Sequence, residues 1–80
     1  MTDADILERL TEVFRDVFDN PSLQIGEATT ARDVEGWDSI AHVSLIVATE
    51  RHFGVSFTTK DIQALTCVGD LLRLIARRVR

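Results

Sequence analysis

Residues 36–54 read GWDSIAHVSLIVATERHFG, and the fold turns on how this stretch is read. Ile40, Val43, Ile46, Val47 and Glu50 recur at helical spacing. Leu45 to Ala48 is apolar all round, which is the pattern of a helix enclosed by its neighbours. The stretch therefore predicts the central, most buried helix of the molecule. It starts at Asp38 or Ser39, runs to about His52 and stops at Gly54. Gly36 allows a sharp turn into it. Ser39 then stands at a helix mouth, where unpaired N–H groups and the positive end of the helix dipole favour a phosphate ester. Asp38 as the cap would leave the Ser39 hydroxyl free. On residue type alone, a serine at a helix start more often serves simply as the cap.

Working outward, a second helical stripe precedes this one. Ile6, Leu7, Leu10, Val13, Phe14, Val17 and Phe18 lie on one face of a helix over Asp5–Phe18. Asp3 and Asp5 suit its first turn, and Asn20-Pro21 ends it. Residues 19–38 show no sustained period. A connection this long in a small domain points to function, with Leu23, Ile25, Val34 and Trp37 spaced to pin it down and room for a helical turn within Thr29–Val34. After Gly54, Val55 and Phe57 read as extended. Thr58 and Asp61 form a capping box opening a short helix that carries Ile62 and Leu65. Thr66 is the expected N-cap of a last helix with an apolar face of Val68, Leu71, Leu72, Ile75 and Val79. The fold class is all-α: a four-helix bundle of three longer helices and one short one, forming a single domain over residues 1–80.

Eighty residues with one cysteine, Cys67, leave no disulfide framework. A core this small supplies only about 3–5 kcal/mol, so presenting one reactive surface group suits the chain better than building a deep cleft. The net charge is −4. Ten acids before Ser39 face Arg9, Arg15 and Arg32, whereas Arg73, Arg77, Arg78 and Arg80 cluster at the end. An acidic chain with few aromatics is repelled by nucleic-acid phosphate. The arginines fit the last turn of a helix better than a nucleic-acid site. No apolar run reaches the roughly 18 residues of a membrane span, and the start is acidic, unlike a secretory signal. A cytoplasmic monomer, with no nucleic acid or membrane partner, is expected.

Other chemistries fail on spacing. Ser39 and His42 are one turn apart, but Gly36 lies three residues before the serine, no strand precedes it and no glycine follows, so a nucleophile elbow is not formed. His42 and His52 are ten apart without a cysteine partner, which gives a metal site no support. Cys67 fits a small, partly buried position better than a reactive one. Trp37 can anchor the loop or pack on an attached group.

Gly36-x-Asp38-Ser39-Ile40 at the start of the second of four helices resembles the acyl carrier protein signature. The likeness extends to Glu50, to Phe53-Gly54-Val55 and to Thr66-x-Val68-Gly69-Asp70-Leu71, in the same order along essentially the whole chain. The resemblance implies a non-catalytic carrier with 4'-phosphopantetheine attached covalently to Ser39 by a phosphopantetheinyl transferase. It implies Asp38 and Ile40 as supporting motif residues. It further implies a loading ligase and downstream transferases or synthases that handle an acyl or aminoacyl thioester. Fatty-acid carriers typically place acids on the second helix, where this chain has Ala41 and Ser44 flanking His42. Ala41, His42 and Ser44 are therefore expected to be exposed partner contacts in a specialised pathway. An unmodified helical interaction module with the same fold is the alternative.

Overall fold

The computed structural model describes residues 1–79; the expectation for Arg80 lies outside them. Four helices form: α1 (Asp3–Val17), α2 (Ser39–Phe53), α3 (Thr59–Gln63) and α4 (Val68–Arg78), with one 3-10 turn at Ala31–Asp33 inside the first connection. No described helix is long and apolar enough to cross a membrane.

Helix α1 starts at Asp3, two residues before the expected Asp5. Thr2 caps it reciprocally: the Thr2 hydroxyl accepts from the Asp5 N–H at 3.1 Å, and the Asp5 carboxylate accepts from the Thr2 N–H at 3.2 Å. Its buried face of Ile6, Leu10, Val13 and Phe14 packs against both α2 and α4. The core closes with Leu45 and Ile46 from α2 and Val68, Leu71, Leu72 and Ile75 from α4. Each such side chain contributes about 1.5–3 kcal/mol by leaving water.

Helix α2 is not the most buried element. Only Leu45, Ile46 and Thr49 are buried in it, against six residues in α4. Ile40, Val43 and Val47 are 80%, 64% and 41% exposed. The apolar run that predicted all-round burial is instead split between a core face and an outward face, because α1 and α4 cover one side of α2 only. Thr49, fully buried, is satisfied by donating its hydroxyl to the Leu45 carbonyl at 2.7 Å.

Gly54 ends α2 in the left-handed region at φ 67°, and its N–H donates to the Glu50 carbonyl. Glu50 then holds the following segment, its carboxylate accepting from the Phe57 N–H at 2.8 Å. The Thr58–Asp61 capping box opens α3 as expected, but α3 ends at Gln63 and Leu65 lies just beyond it. Arg78, in the last turn of α4, donates to the Ser56 carbonyl at 2.9 Å and pairs with Asp61 at 2.7 Å.

Thr66 does not cap α4; Cys67 occupies the cap position and makes no side-chain cap bond. The first N–H groups of α4 are satisfied by the long connection instead. Val68 N–H donates to the Thr29 carbonyl and Gly69 N–H to the Glu27 carbonyl, both at 2.8 Å. Thr66 turns its hydroxyl and N–H to the Asp70 carboxylate. Gly69 is required by this close approach, since a Cβ there would lie 2.9 Å from the Glu27 carbonyl oxygen. Arg15 secures the other end of the connection by donating to the Leu23 carbonyl at 2.7 Å.

Two outcomes follow from these contacts. Gly69→Ala should lower stability by about 1–3 kcal/mol, an overpacking cost, with faster amide exchange at Val68; an unchanged urea midpoint would contradict the tight approach. The Asp70 carboxyl is lowered from 3.8 to about 2, first by the Thr66 hydroxyl and N–H and then by Arg73. A lowered folded value means stability present above the ordinary value and lost as pH falls from 3.8 towards 2. Asp70→Asn should therefore flatten the fall in melting temperature over that acidic interval, and an equally steep fall in the variant would show that Asp70 does not contribute to it.

Candidate functional site

The site is built where the long connection feeds α2. Val34 is buried, and the chain turns at Gly36 with φ 88°. Trp37 then folds back on the core. Its ring meets Phe14 edge-on at 5.2 Å and Phe18 at 6.2 Å. This anchors the last residue before the cap to the buried face of α1.

Asp38 is the N-cap. Its Oδ1 accepts from the Ala41 N–H at 2.8 Å, while its carbonyl accepts from the His42 N–H at 2.8 Å. The cap is thus complete without Ser39. The Ser39 side chain is exposed at the first helical position. The N–H groups of Ser39 and Ile40 take no partner among the described residues. An open helix mouth and an uncommitted hydroxyl coincide, which is the arrangement that accommodates a phosphate ester.

Beside Ser39 lies a cleft of about 460 Å³, lined among others by Trp37, His42, Leu65, Cys67 and Leu71. These residues come from the start of α2, the α3–α4 junction and α4, and the fold alone brings them together. Cys67 is half-buried in this wall. His42 is half-buried and lies alongside Trp37, with ring centroids 6.0 Å apart and planes 20° apart. The indole Nε1–H of Trp37 donates to His42 Nδ1 at 3.1 Å. A group leaving Ser39 has free donors at its root and a largely apolar wall to lie along, so the residues present fit a long, phosphate-rooted arm.

The three residues expected as exposed partner contacts separate. Ser44 is exposed, but Ala41 and His42 are half-buried, His42 against the Trp37 ring. The outward face belongs instead to Ile40, Val43, Ser44 and Val47. The exposed apolar side chains were hidden in the sequence by the continuous apolar run. The Trp37–His42 pair bridges the cap at a spacing of five, which no helical period picks out. His52 lies exposed in the last turn of α2, where a basic group complements the dipole.

A family model described as a phosphopantetheine attachment site matches residues 8–75. Fold and match together define a carrier domain that bears a covalently attached 4'-phosphopantetheine. An acyl carrier protein of Thermosynechococcus vestitus is 32% identical over 80 residues, spanning 99% of this chain and 98% of that protein. The solution structure of the holo acyl carrier protein from Geobacter metallireducens matches with a TM-score of 0.85 and 40% identity, over 90% of this chain and 83% of that one. The chain belongs to the acyl carrier protein family, whose members hold cargo without transforming it.

Proposed function

We propose that Ser39 is the attachment point, and that residues 1–80 act as one carrier domain delivering an acyl or aminoacyl thioester to partner enzymes in the cytoplasm. The observation that carries this is the division of labour at the mouth of α2. Asp38 closes the cap through Ala41, so the Ser39 hydroxyl is left exposed and uncommitted. A phosphopantetheinyl transferase would form the Ser39 Oγ–phosphorus bond as the pyrophosphate bond of coenzyme A breaks, releasing adenosine 3',5'-bisphosphate and the serine proton. Asp38 holds the serine at the helix mouth and Ile40, largely exposed, offers the modifying enzyme an apolar grip.

When bound, the arm supplies a terminal thiol that holds the cargo as a thioester. The chain's own part is mechanical. It fixes the root of the arm on a capped helix, offers Ser39 and Ile40 N–H to the phosphate, and keeps the cargo at high local concentration for successive enzymes.

The outward face of α2 supports a specialised pathway, such as a polyketide-type or aminoacyl one. Its first turn holds no acid. Ile40, Val43 and Val47 give it an apolar stripe with Ser44 between them. Ala41 and His42 flank that stripe at the base of the arm. Partners reading this face would bury apolar surface instead of matching acids with a basic patch.

Incubation with coenzyme A and a broad-specificity transferase should add one phosphopantetheine to the intact mass, and Ser39→Ala should abolish the gain. An unmodified wild-type protein under conditions that load a reference carrier would favour the interaction module. The pathway reading has its own measure: a fatty-acid synthase should elongate on this holo protein at least about tenfold more slowly than on its own carrier, a difference of about 1.4 kcal/mol. Equal elongation would remove the argument from α2.

A further inference from the structure

We infer that His42 is a further binding residue for the arm, a neutral imidazole that offers its Nε2–H to the phosphodiester on Ser39. This deepens the proposed function and rests on Ser39 being the attachment point.

The tautomer follows from the partner. An indole N–H can only donate, so His42 Nδ1, which accepts from Trp37 Nε1–H at 3.1 Å, must carry a lone pair. In a neutral imidazole the remaining proton then sits on Nε2. The ring is not free to turn away. It lies beside Trp37 with the two planes only 20° apart, joined edge to edge by that hydrogen bond, and Trp37 is itself wedged edge-on against Phe14, one of the fully buried side chains. The Nε2–H therefore has its orientation set by the core, through the indole hydrogen bond and the contact of Trp37 with Phe14.

Position follows from helix geometry. Residues three apart share a helix face about 5–6 Å from one another at Cβ, and Ser39 and His42 line the same cleft. No described protein group accepts from Nε2. A phosphodiester carries one negative charge on two oxygens, each able to accept several hydrogen bonds. The first turn of α2 contains no lysine or arginine, and the nearest formal charge, the Asp38 carboxylate, is itself negative. The donors at the arm's root are then the N–H groups of Ser39 and Ile40 and the imidazole of His42. A neutral donor suits this place, because it binds the phosphate without drawing in the capping carboxylate that α2 needs.

The test uses the full-length protein loaded by transferase and coenzyme A, with intact mass recording the arm. In the wild type, nitrogen NMR should show the Nε2–H tautomer of His42, and this proton should move downfield and exchange more slowly with water once the arm is attached. The phosphorus resonance of the phosphodiester should move in His42→Ala and return part of the way in His42→Gln, whose amide keeps a donor. In Trp37→Phe the ring remains but the indole donor is lost, so the resonance should shift towards that of His42→Ala. A loaded His42→Ala protein with its phosphorus resonance at the wild-type position would overturn the role of His42 and leave the carrier reading intact. So would a wild-type imidazole protonated on Nδ1, a result that does not depend on any variant folding. A mass that shows no arm on the wild type defeats the carrier reading, and this inference with it.

Discussion

Two backbone hydrogen bonds hold the functional end of the molecule together: Val68 N–H to the Thr29 carbonyl and Gly69 N–H to the Glu27 carbonyl. They satisfy donors that a helix N-terminus otherwise leaves to a side-chain cap, and so α4 starts at Val68 with no capping side chain. They also tie the middle of a long connection to the most buried helix. With Arg15 gripping the Leu23 carbonyl at one end and Trp37 set on Phe14 at the other, little of the path from α1 to α2 is left free. The entry angle into α2, and with it the setting of Ser39, descends from this arrangement. Gly69 is the sequence's acknowledgement of it, since any side chain there would meet the Glu27 carbonyl.

The same economy explains why an apolar stripe faces outward. An 80-residue chain has only two long helices available to cover α2, and they cover one side. Ile40, Val43 and Val47 are exposed as a consequence. Covering them inside the domain would need another element. Polar residues at these positions would be the simpler solution for a protein that met only water, so the apolar choice is intelligible if the face spends part of its time against partner surfaces. Charge is sorted accordingly. Most acids lie before Ser39, and the described arginines of α4 are taken up by Asp70, Glu27, Asp61 and the Ser56 carbonyl or lie in its last turn. The outward face of α2 is left nearly neutral up to its last turn.

Much of the fold was legible in the sequence because helical periodicity and caps are local. The stripe of Ile6 to Phe18, the Thr58–Asp61 box, the stop at Gly54 and the turn within Thr29–Val34 all appear where residue type and spacing put them. Apart from the start of α1, set by the local Thr2–Asp5 box, the misreadings depended on what lay across space. Thr66 has the chemistry of an N-cap, but the loop carbonyls of Thr29 and Glu27, far earlier in the chain, had already taken the donors it would serve. Leu45 to Ala48 reads as enclosed, yet enclosure depends on how many neighbours exist, which spacing cannot count. The site divides in the same way. The Asp38–Ser39 pair is adjacent in sequence, and the helical spacing that follows marks it as a helix start. The wall contributed by Leu65, Cys67 and Leu71, and the Trp37 bond to His42, exist only after the chain has folded.

A carrier has to reconcile two demands that conflict at a helix mouth. The helix needs its first N–H groups satisfied to be stable, whereas an anionic arm needs some of them unsatisfied to be held. Here the conflict is resolved by giving the demands to different atoms. Asp38 takes the Ala41 and His42 N–H groups, one through its side chain and one through its carbonyl. Ser39 and Ile40 keep theirs. A serine acting as its own cap could not also offer a free hydroxyl, and an alanine in place of Asp38 would give up the side-chain acceptor at a cost of about 1 kcal/mol. An acid immediately before the proposed attachment serine, which looks electrostatically perverse beside a phosphate, is thus what permits the serine to be used. The imidazole one turn further on then adds a donor without adding a charge that would compete for that acid.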